Sequence, residues 1–344
     1  MAWTETTRLH YRRETLRYAS DLTNAEWALI APFLPTAGKL GRPRKTDLRS
    51  VVEAILYMAS TGCQWRAIPK DFPPYSTVQG YFYAWSHRGL LAHINHMLVM
   101  ALREMLGREA SPTAGVIDSQ SVKTTEGGGP RGFDAGKKIK GRKRHIVTDT
   151  EGCLVGVRVH PADIQDRDGA PEVLASIRSQ YPWLRHVFAD GGYAGDKLRN
   201  AMAGLGQWSF EIIRRSDTAK GFELLPRRWV VERTFAWLGR CRRLAKDFEA
   251  TLQSAMAWIL VAHIRRLTRR RSEQERQSAF MSQTLTHSRH AEGSLRAEAV
   301  EQASDAPPDA FNSALVGLLE QGFQLGEHLL DGVEVRAVGR QEEQ

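Results

Sequence analysis

Three acidic residues stand where an acid is physically awkward. Asp118 ends the apolar run of Gly-Val-Ile-Asp-Ser, and Asp190 ends that of His-Val-Phe-Ala-Asp-Gly-Gly-Tyr. Glu232 lies on a predicted helix in Arg-Trp-Val-Val-Glu-Arg-Thr-Phe-Ala-Trp-Leu. A carboxylate at the end of a core strand is desolvated, which is unfavourable unless something positive pairs with it. Two such acids side by side repel, and a divalent cation resolves the repulsion. Hard oxygen donors, with one or two carboxylates per ion, suit Mg²⁺ or Mn²⁺. Two ions about 3.5–4 Å apart would activate water or a 3′-hydroxyl and stabilise the leaving oxygen of a phosphodiester.

The third acid is less constrained. At ~100° per residue, Val230, Val231, Thr234, Phe235, Trp237, Leu238, Cys241 and Leu244 share one helix face. Glu232 falls opposite, with Arg228, Ala236, Gly239 and Arg243. Small neighbours leave room for an ion and a phosphate, and the arginines could hold a nucleic-acid backbone. The same helix equally fits a solvated acid paired with Arg228 four residues earlier. Other acids have simpler roles. Asp149 falls in a hairpin turn, Asp163, Asp166 and Asp168 precede a helix, and Asp196 starts one. Asp247 and Glu249 lie in a charged run past this helix. His145 and His160 lack metal-ligand spacing and read as structural or phosphate-contacting.

The elements that must position these acids follow from periodicity and capping. Residues 1–20 read as a basic arm. Thr23-Asn-Ala-Glu26 is a capping box that opens a short helix. A basic loop, Gly-Lys-Leu-Gly-Arg-Pro-Arg-Lys over 38–45, precedes a helix opened by Asp47 that carries Val51, Val52, Ile55, Leu56 and Met58 at helical spacing. Ser76-Thr-Val-Gln79 forms a second capping box before a helix bearing Tyr81, Phe82, Trp85 and His87, and a further helix runs through Leu90–Leu106. This unit is compatible with a helix-turn-helix and also with a plain helical bundle. Arg42, Arg44 and Lys45 read either as a minor-groove arm or as an ordinary basic loop.

From residue 114 the pattern turns to strands. Val116–Val122 is followed by a Gly-rich basic loop through Lys137-Lys-Ile-Lys-Gly-Arg-Lys-Arg-His145. Ile146–Thr148 and Leu154–Val159 form a hairpin. Helix Pro171–Tyr181, strand His186–Ala189, helix Lys197–Leu205, strand Phe210–Ile213 and a long helix from near Pro226 complete the order. It is the order of a ribonuclease-H-like α/β domain, a mixed sheet with helices on its faces. Residues 272–344 are Gln/Ser/Glu-rich and read as mostly disordered, with one helix over Leu315–Leu330.

Charge is polarised along the 344 residues: 272–344 carry a net −8, and the remainder +17. Such a basic body favours a polyanion partner. Cys63, Cys153 and Cys241 are far apart, which argues against a disulfide framework or a zinc ribbon. No signal core and no bilayer-length apolar run is present. The expectation is a cytoplasmic, nucleoid-associated protein with no membrane partner.

Several segments, in order, resemble bacterial insertion-sequence transposases of the IS-five family of DDE transposases. They are Leu22-Thr-Asn-Ala-Glu-Trp27, Gly62-Cys-Gln-Trp-Arg-Ala-Ile-Pro69, Val116-Ile-Asp-Ser-Gln-Ser-Val-Lys123, Lys140-Gly-Arg-Lys-Arg-His145, Ala189-Asp-Gly-Gly-Tyr-Ala194 and Arg228-Trp-Val-Val-Glu-Arg-Thr-Phe-Ala-Trp-Leu238. The resemblance covers roughly 20–270. It implies that Asp118, Asp190 and Glu232 are the catalytic, metal-binding triad, with Mg²⁺ as the usual ion. The position seven after the Glu, often basic in relatives, is Gly239, which leaves Arg240 and Arg243 as alternatives.

The expected protein is therefore a DNA transposase that binds terminal inverted repeats, cleaves there and joins the freed end to target DNA. Its partners would be double-stranded DNA and further copies of itself, as a homodimer or larger assembly. Its domains would be the arm (1–20), a helical, helix-turn-helix-like DNA-binding domain (21–110), a catalytic domain (111–271) and the acidic tail (272–344). The expected DNA contacts are Arg42, Arg44, Lys45 and Lys123, then Lys137, Lys138, Lys140, Arg142, Lys143, Arg144 and His145, and finally Tyr193, Arg228, Arg240 and Arg243. A DNA-binding regulator with an unused core and a nuclease that cuts without joining share these features.

Overall fold

Capping chemistry sets the first helices. Thr23 accepts a hydrogen bond from the Glu26 N–H and Glu26 accepts one from the Thr23 N–H, which opens α1 (Asn24–Ile30) as a reciprocal box. Asp47 accepts from the Arg49 and Ser50 N–H groups to open α2 (Leu48–Thr61), and Gly62, at φ +72°, closes it. Helix α3 (Tyr75–His87) begins one residue before the box expected at Ser76: Pro74 stands at its N-cap and no side chain caps it. Helix α4 spans Leu90–Met105. The structure, a computed structural model, describes residues 13, 16–36, 43–213 and 227–304, with side chains through residue 278.

The sheet is built from β1 (Ala114–Lys123), β2 (Gly132–Asp134), β3 (Ile139–Asp149), β4 (Leu154–Pro161), β5 (His186–Ala189) and β6 (Ser209–Ile212). Strand β1 lies between β3, antiparallel, and β5, parallel; β6 extends the sheet in parallel beyond β5, and β2 and β4 pair with β3 on its other side. Helices α5 (Asp166–Ile177), α6 (Asp196–Ala203), α7 (Trp229–Gly239) and α8 (Leu252–Ser304) complete the described elements. Three antiparallel strands followed by two parallel ones, with crossover helices, make a ribonuclease-H-like mixed sheet.

The largest departure from expectation is β3. The basic run to His145 reads as loop because Lys and Arg are poor strand formers, yet the strand starts at Ile139 and pairs on both edges. Tertiary partners for its cations override local propensity, as described below. Helix α5 starts five residues before Pro171, which it accommodates in its interior, and α7 ends at Gly239, with a separate 3₁₀ turn over Arg242–Leu244.

Two units divide the chain, Met1–Glu273 and Gln274–Gln344. In the first, one hydrophobic core runs from Leu22 to Leu267 and includes residues of both the helical segment and the sheet. The division expected at 110/111 is thus a change of element type inside one unit. The aromatic stripe of α3 is spent in this core: Phe82 stacks on Trp258 with ring centroids 4.4 Å apart, and Trp85 is buried. In the second unit, residues through Ser304 are helical where disorder was expected. Ala, Arg, Glu and Gln there are strong helix formers, and no proline interrupts them. The helix expected over Leu315–Leu330 lies outside the described residues. No helix among them is long and apolar enough to cross a membrane.

Candidate active site and nucleic-acid surface

The parallel pairing of β1 with β5 aligns Val116 with Phe188. Carried two residues further, that register sets Asp118 level with Asp190, one residue past the end of β5. Asp118 accepts a 2.7 Å hydrogen bond from the Ser119 N–H. Burial, reinforced by the negative charge of Asp190, pushes its carboxyl up to about 6. Asp190 accepts from the Gly192 N–H at 2.8 Å, at the head of the short turn Gly191–Tyr193.

Glu232 is exposed on α7, while Val230, Val231, Thr234 and Leu238 of the same helix are buried. One guanidinium links it to the strands: Arg228 Nη2 lies 3.5 Å from Glu232 Oε1 and 3.5 Å from Asp190 Oδ2. The Arg228–Glu232 surface pair therefore forms, with the same guanidinium also reaching Asp190. Arg228 stands between two acids and keeps part of its side chain open to solvent.

The donor chemistry of Asp118 and Asp190 fits a hard divalent ion, since two level carboxylates, one desolvated, are what such an ion relieves. With Arg228 between Asp190 and Glu232, no three His, Cys, Asp or Glu side chains among the described residues are grouped to hold a metal. The pair of aspartates is formed; the three-acid enclosure is not.

Behind the aspartates lies a buried polar layer that local sequence signals did not reveal. Asp166, expected only as a helix-start acid, accepts from Ser119 Oγ at 2.6 Å and from Lys143 Nζ at 2.8 Å. Burial pushes its carboxyl upward, but those two donors outweigh it and hold it below the usual range. Lys137 donates to the Ser119 carbonyl at 3.1 Å, which brings a cation beside Asp118. Next to this layer, Tyr193 Oη lies 2.7 Å from His145 Nε2, His145 Nδ1 lies 3.4 Å from His160 Nε2, and His160 Nδ1 lies 3.0 Å from the Pro161 carbonyl. A carbonyl only accepts, so with both imidazoles neutral each His donates toward Pro161, and Tyr193 donates to His145. Gly169 of α5 is required here, because a Cβ would come within 2.6 Å of His145 Nδ1 and 2.7 Å of His160 Nε2. The Asp-Gly-Gly-Tyr sequence thus carries Asp190 outward and Tyr193 inward as a strut.

Period-two alternation of β3 sorts the basic run onto two covered faces. Lys143 and His145 point to the Asp166 side. Arg142 and Arg144 point to residues 244–251. Arg142 is fully buried: it pairs with Asp247 at 3.0 Å and donates to the Pro130, Glu249 and Ala250 carbonyls. Arg144 donates to the Leu244 carbonyl at 2.8 Å. The expectation that Arg142, Lys143, Arg144 and His145 contact DNA is therefore corrected, as is that for Tyr193, which is 1% exposed. A buried cation with its donors already engaged has none left for a phosphate. Arg243 is corrected likewise: it is buried, pairs with Glu249 and donates to the Cys63 carbonyl at 3.2 Å.

The remaining expected contacts stay open to solvent. Lys45, Lys123, Lys137, Lys138, Lys140 and Arg240 are exposed. So is Arg44, which donates to the Pro35 carbonyl at 2.8 Å. Arg42 lies outside the described residues. The rival acid Asp149 is accounted for: it is buried, accepts from the Cys153 and Glu151 N–H groups and pairs with Arg103.

Comparison with known proteins converges with this geometry. Residues 109–267 match the transposase DDE domain, and residues 22–95 match a putative transposase of IS4/5 family. The chain is 34% identical over 116 residues to a putative transposase for insertion sequence element IS402 of Burkholderia cepacia, covering 32% of this chain and 54% of that protein. It is 32% identical over 102 residues to the uncharacterized protein y4sN of Sinorhizobium fredii (strain NBRC 101917 / NGR234), covering 30% of this chain and 75% of that one. The chain thus spans about half the length of the IS402 relative. Two models matched in sequence order, on a ribonuclease-H-like sheet with two level aspartates, place the chain in the IS4/5 family of DDE transposases.

Proposed function

We propose that this chain binds the terminal inverted repeats of an insertion sequence, cleaves DNA there and transfers the freed strand to a target. The observation that carries the reading is the level pair Asp118 and Asp190, with Asp118 held desolvated beside a second negative charge. Asp118 and Asp190 would hold the divalent ion, Mg²⁺ or Mn²⁺, with Glu232 completing the set. When bound, the ion supplies activation of the attacking oxygen and stabilisation of the leaving one, and a second ion would divide those two tasks.

The chain's own residues do the rest. Ser119, Asp166 and Lys143 fix the strand that bears Asp118, and the Tyr193 strut fixes the turn that bears Asp190. Lys137 supplies positive charge beside Asp118. In the first step a water oxygen bonds to phosphorus, the bond to the 3′ oxygen breaks, and that oxygen takes a proton to leave a 3′-hydroxyl. In the second, the 3′-hydroxyl gives up its proton to solvent as its oxygen bonds to a target phosphorus, and the target's 3′ oxygen leaves and takes up a proton. Synapsis of two ends requires two copies or more.

The test is strand transfer by the purified full chain on end-containing DNA with Mg²⁺ or Mn²⁺. Asp118→Asn, Asp190→Asn and Glu232→Gln should each abolish joined product while leaving DNA binding in place. Full strand transfer in all three variants would falsify the assignment. Hydrolysis without joining by the unmodified chain would reduce the activity to that of a nuclease.

A further inference from the structure

A second site lies at the far end of β1. A groove of about 900 Å³ is lined there by the loop after Lys123, by the β2–β3 hairpin and by the segment around Lys246–Phe248; none of the three acids borders it. Five exposed cations face it, Lys123, Arg131, Lys138, Lys140 and Lys246, against one acid, Glu126. Four large apolar side chains are exposed among the described residues, and two of them, Phe133 at 55% and Phe248 at 40%, open into this one groove.

The floor is built rather than incidental. The Asp247 N–H donates to the Lys123 carbonyl at 2.9 Å and the Thr125 N–H to the Asp247 carbonyl at 3.2 Å, so the end of β1 is stitched to the segment bearing Phe248. Buried Arg142 clamps that segment from below through Asp247, Glu249 and Ala250. Gly129 completes the fit: at φ +80°, a Cβ there would lie 1.9 Å from the Ala250 carbonyl oxygen. Phe248 therefore stands on a fixed base, and Phe133 is held by the pairing of β2 with β3.

Cations alone would serve any polyanion; the rings narrow the choice. The Arg243 guanidinium lies 5.5 Å from the centre of the Phe248 ring, but Phe248 and Phe133 both stay exposed. A paired duplex presents phosphate to such a groove and keeps the faces of its bases stacked, which would leave those exposed ring surfaces hydrated. A strand with unpaired bases offers what each lining group needs, phosphate for the lysines and a π-face for each ring. The volume falls within the range of clefts that hold ligand-sized groups, the size of a few nucleotides. We infer that this groove holds a short unpaired stretch of DNA, its phosphates on the lysines and its bases stacked on Phe133 and Phe248. The inference rests on the DNA activity proposed above. Five residues of β1 separate Lys123 from Asp118, about 17 Å, so the unpaired stretch lies about five nucleotides from the reacting phosphate.

Binding of the full chain to three labelled DNAs of common sequence tests it: a single strand, a paired duplex, and a duplex mismatched about five nucleotides from its end. Fluorescence anisotropy should show tighter binding to the single strand and the mismatched duplex. Phe133→Ala with Phe248→Ala should weaken those two about 10-fold and leave the paired duplex nearly unchanged. The double Tyr variant should retain the preference, and the double Leu variant, apolar but without a π-face, should lose it. Retention by the Leu pair overturns stacking, and an equal effect of the Ala pair on all three DNAs, or no effect, overturns the groove assignment. If the unmodified chain binds none of the three, the proposed DNA activity fails as well. If it binds duplex alone, only the present inference fails.

Discussion

Two sets of cations a few residues apart in the chain have opposite fates. Arg142, Lys143 and Arg144 of β3 are buried and each is held by acceptors of its own protein, whereas Lys123, Lys138 and Lys140 around the groove are exposed. Residue type is the same in both sets, so type does not decide. Strand position does: inside a sheet covered on both faces a charge must find partners or it destabilises the fold, and at a hairpin tip it keeps its hydration. The buried set is thus an internal scaffold for the site and the groove floor, and the exposed set is what remains for phosphate.

The comparison breaks most sharply at Arg142. Asp247→Ala should strand a fully buried guanidinium and lower stability by about 3–5 kcal/mol, read by urea or thermal unfolding. An effect as small as that of an ordinary surface change would mean that β3 is not the scaffold described. A middle-sized effect tests the histidine layer. Burial first, then His160, Lys143 and Lys137, push His145 down to about 3, with Asp166 opposing. Its folded value lies below the ordinary 6.5, so the unfolded chain binds the extra proton and stability is lost as pH falls below 6.5. From there to about pH 5 the loss is roughly 2 kcal/mol. Asp118 acts with the opposite sign, because its raised value makes the folded state the better proton binder between 3.8 and about 6. The difference between the unmodified chain and His145→Gln isolates the histidine: the variant should show a flatter decline, and an equal slope in both would show that His145 is not held neutral.

The smallest stability effect belongs to the exposed set. Lys138→Gln with Lys140→Gln should change stability by no more than about 0.5 kcal/mol. The slope of log affinity for single-stranded DNA against log salt should become shallower by roughly 0.7 per lysine. A large stability loss with an unchanged slope would place these lysines with Arg142 rather than with the groove. Asp166→Asn is a sharper probe of the layer between the two sets. It removes a carboxylate that both Ser119 and Lys143 donate to, and should lower the rate of strand transfer while DNA affinity holds. If affinity falls instead and the rate holds, Asp166 belongs to the binding surface.

Much of this molecule is legible without coordinates. The Thr23 and Asp47 caps, the strand at His186–Ala189 and the buried face of α7 all arise from residues within one or two turns of each other. The aspartates were legible for a related reason, since an acid closing an apolar run is anomalous by itself. The cations of β3 were not: Arg142 meets Asp247, 105 residues on, and Arg144 meets the Leu244 carbonyl, 100 residues on. Asp166 looked like any acid at a helix start because its partner Ser119 is 47 residues earlier. Gly129 reads as part of a Gly-rich loop, although its reason is the backbone of Ala250.

The sequence by itself determined most of the elements, though not β2, the start of β3 or the reach of α8, together with the three acids and the basic character of the body, because caps, periodicity and composition are local or additive. Only the tertiary structure decided which cations face water, that Arg228 spans Asp190 and Glu232, and that Phe133 and Phe248 share a groove. Those outcomes depend on burial and on partners brought together across the sheet, and desolvation acts on where a charge ends up rather than on where it stands in the chain.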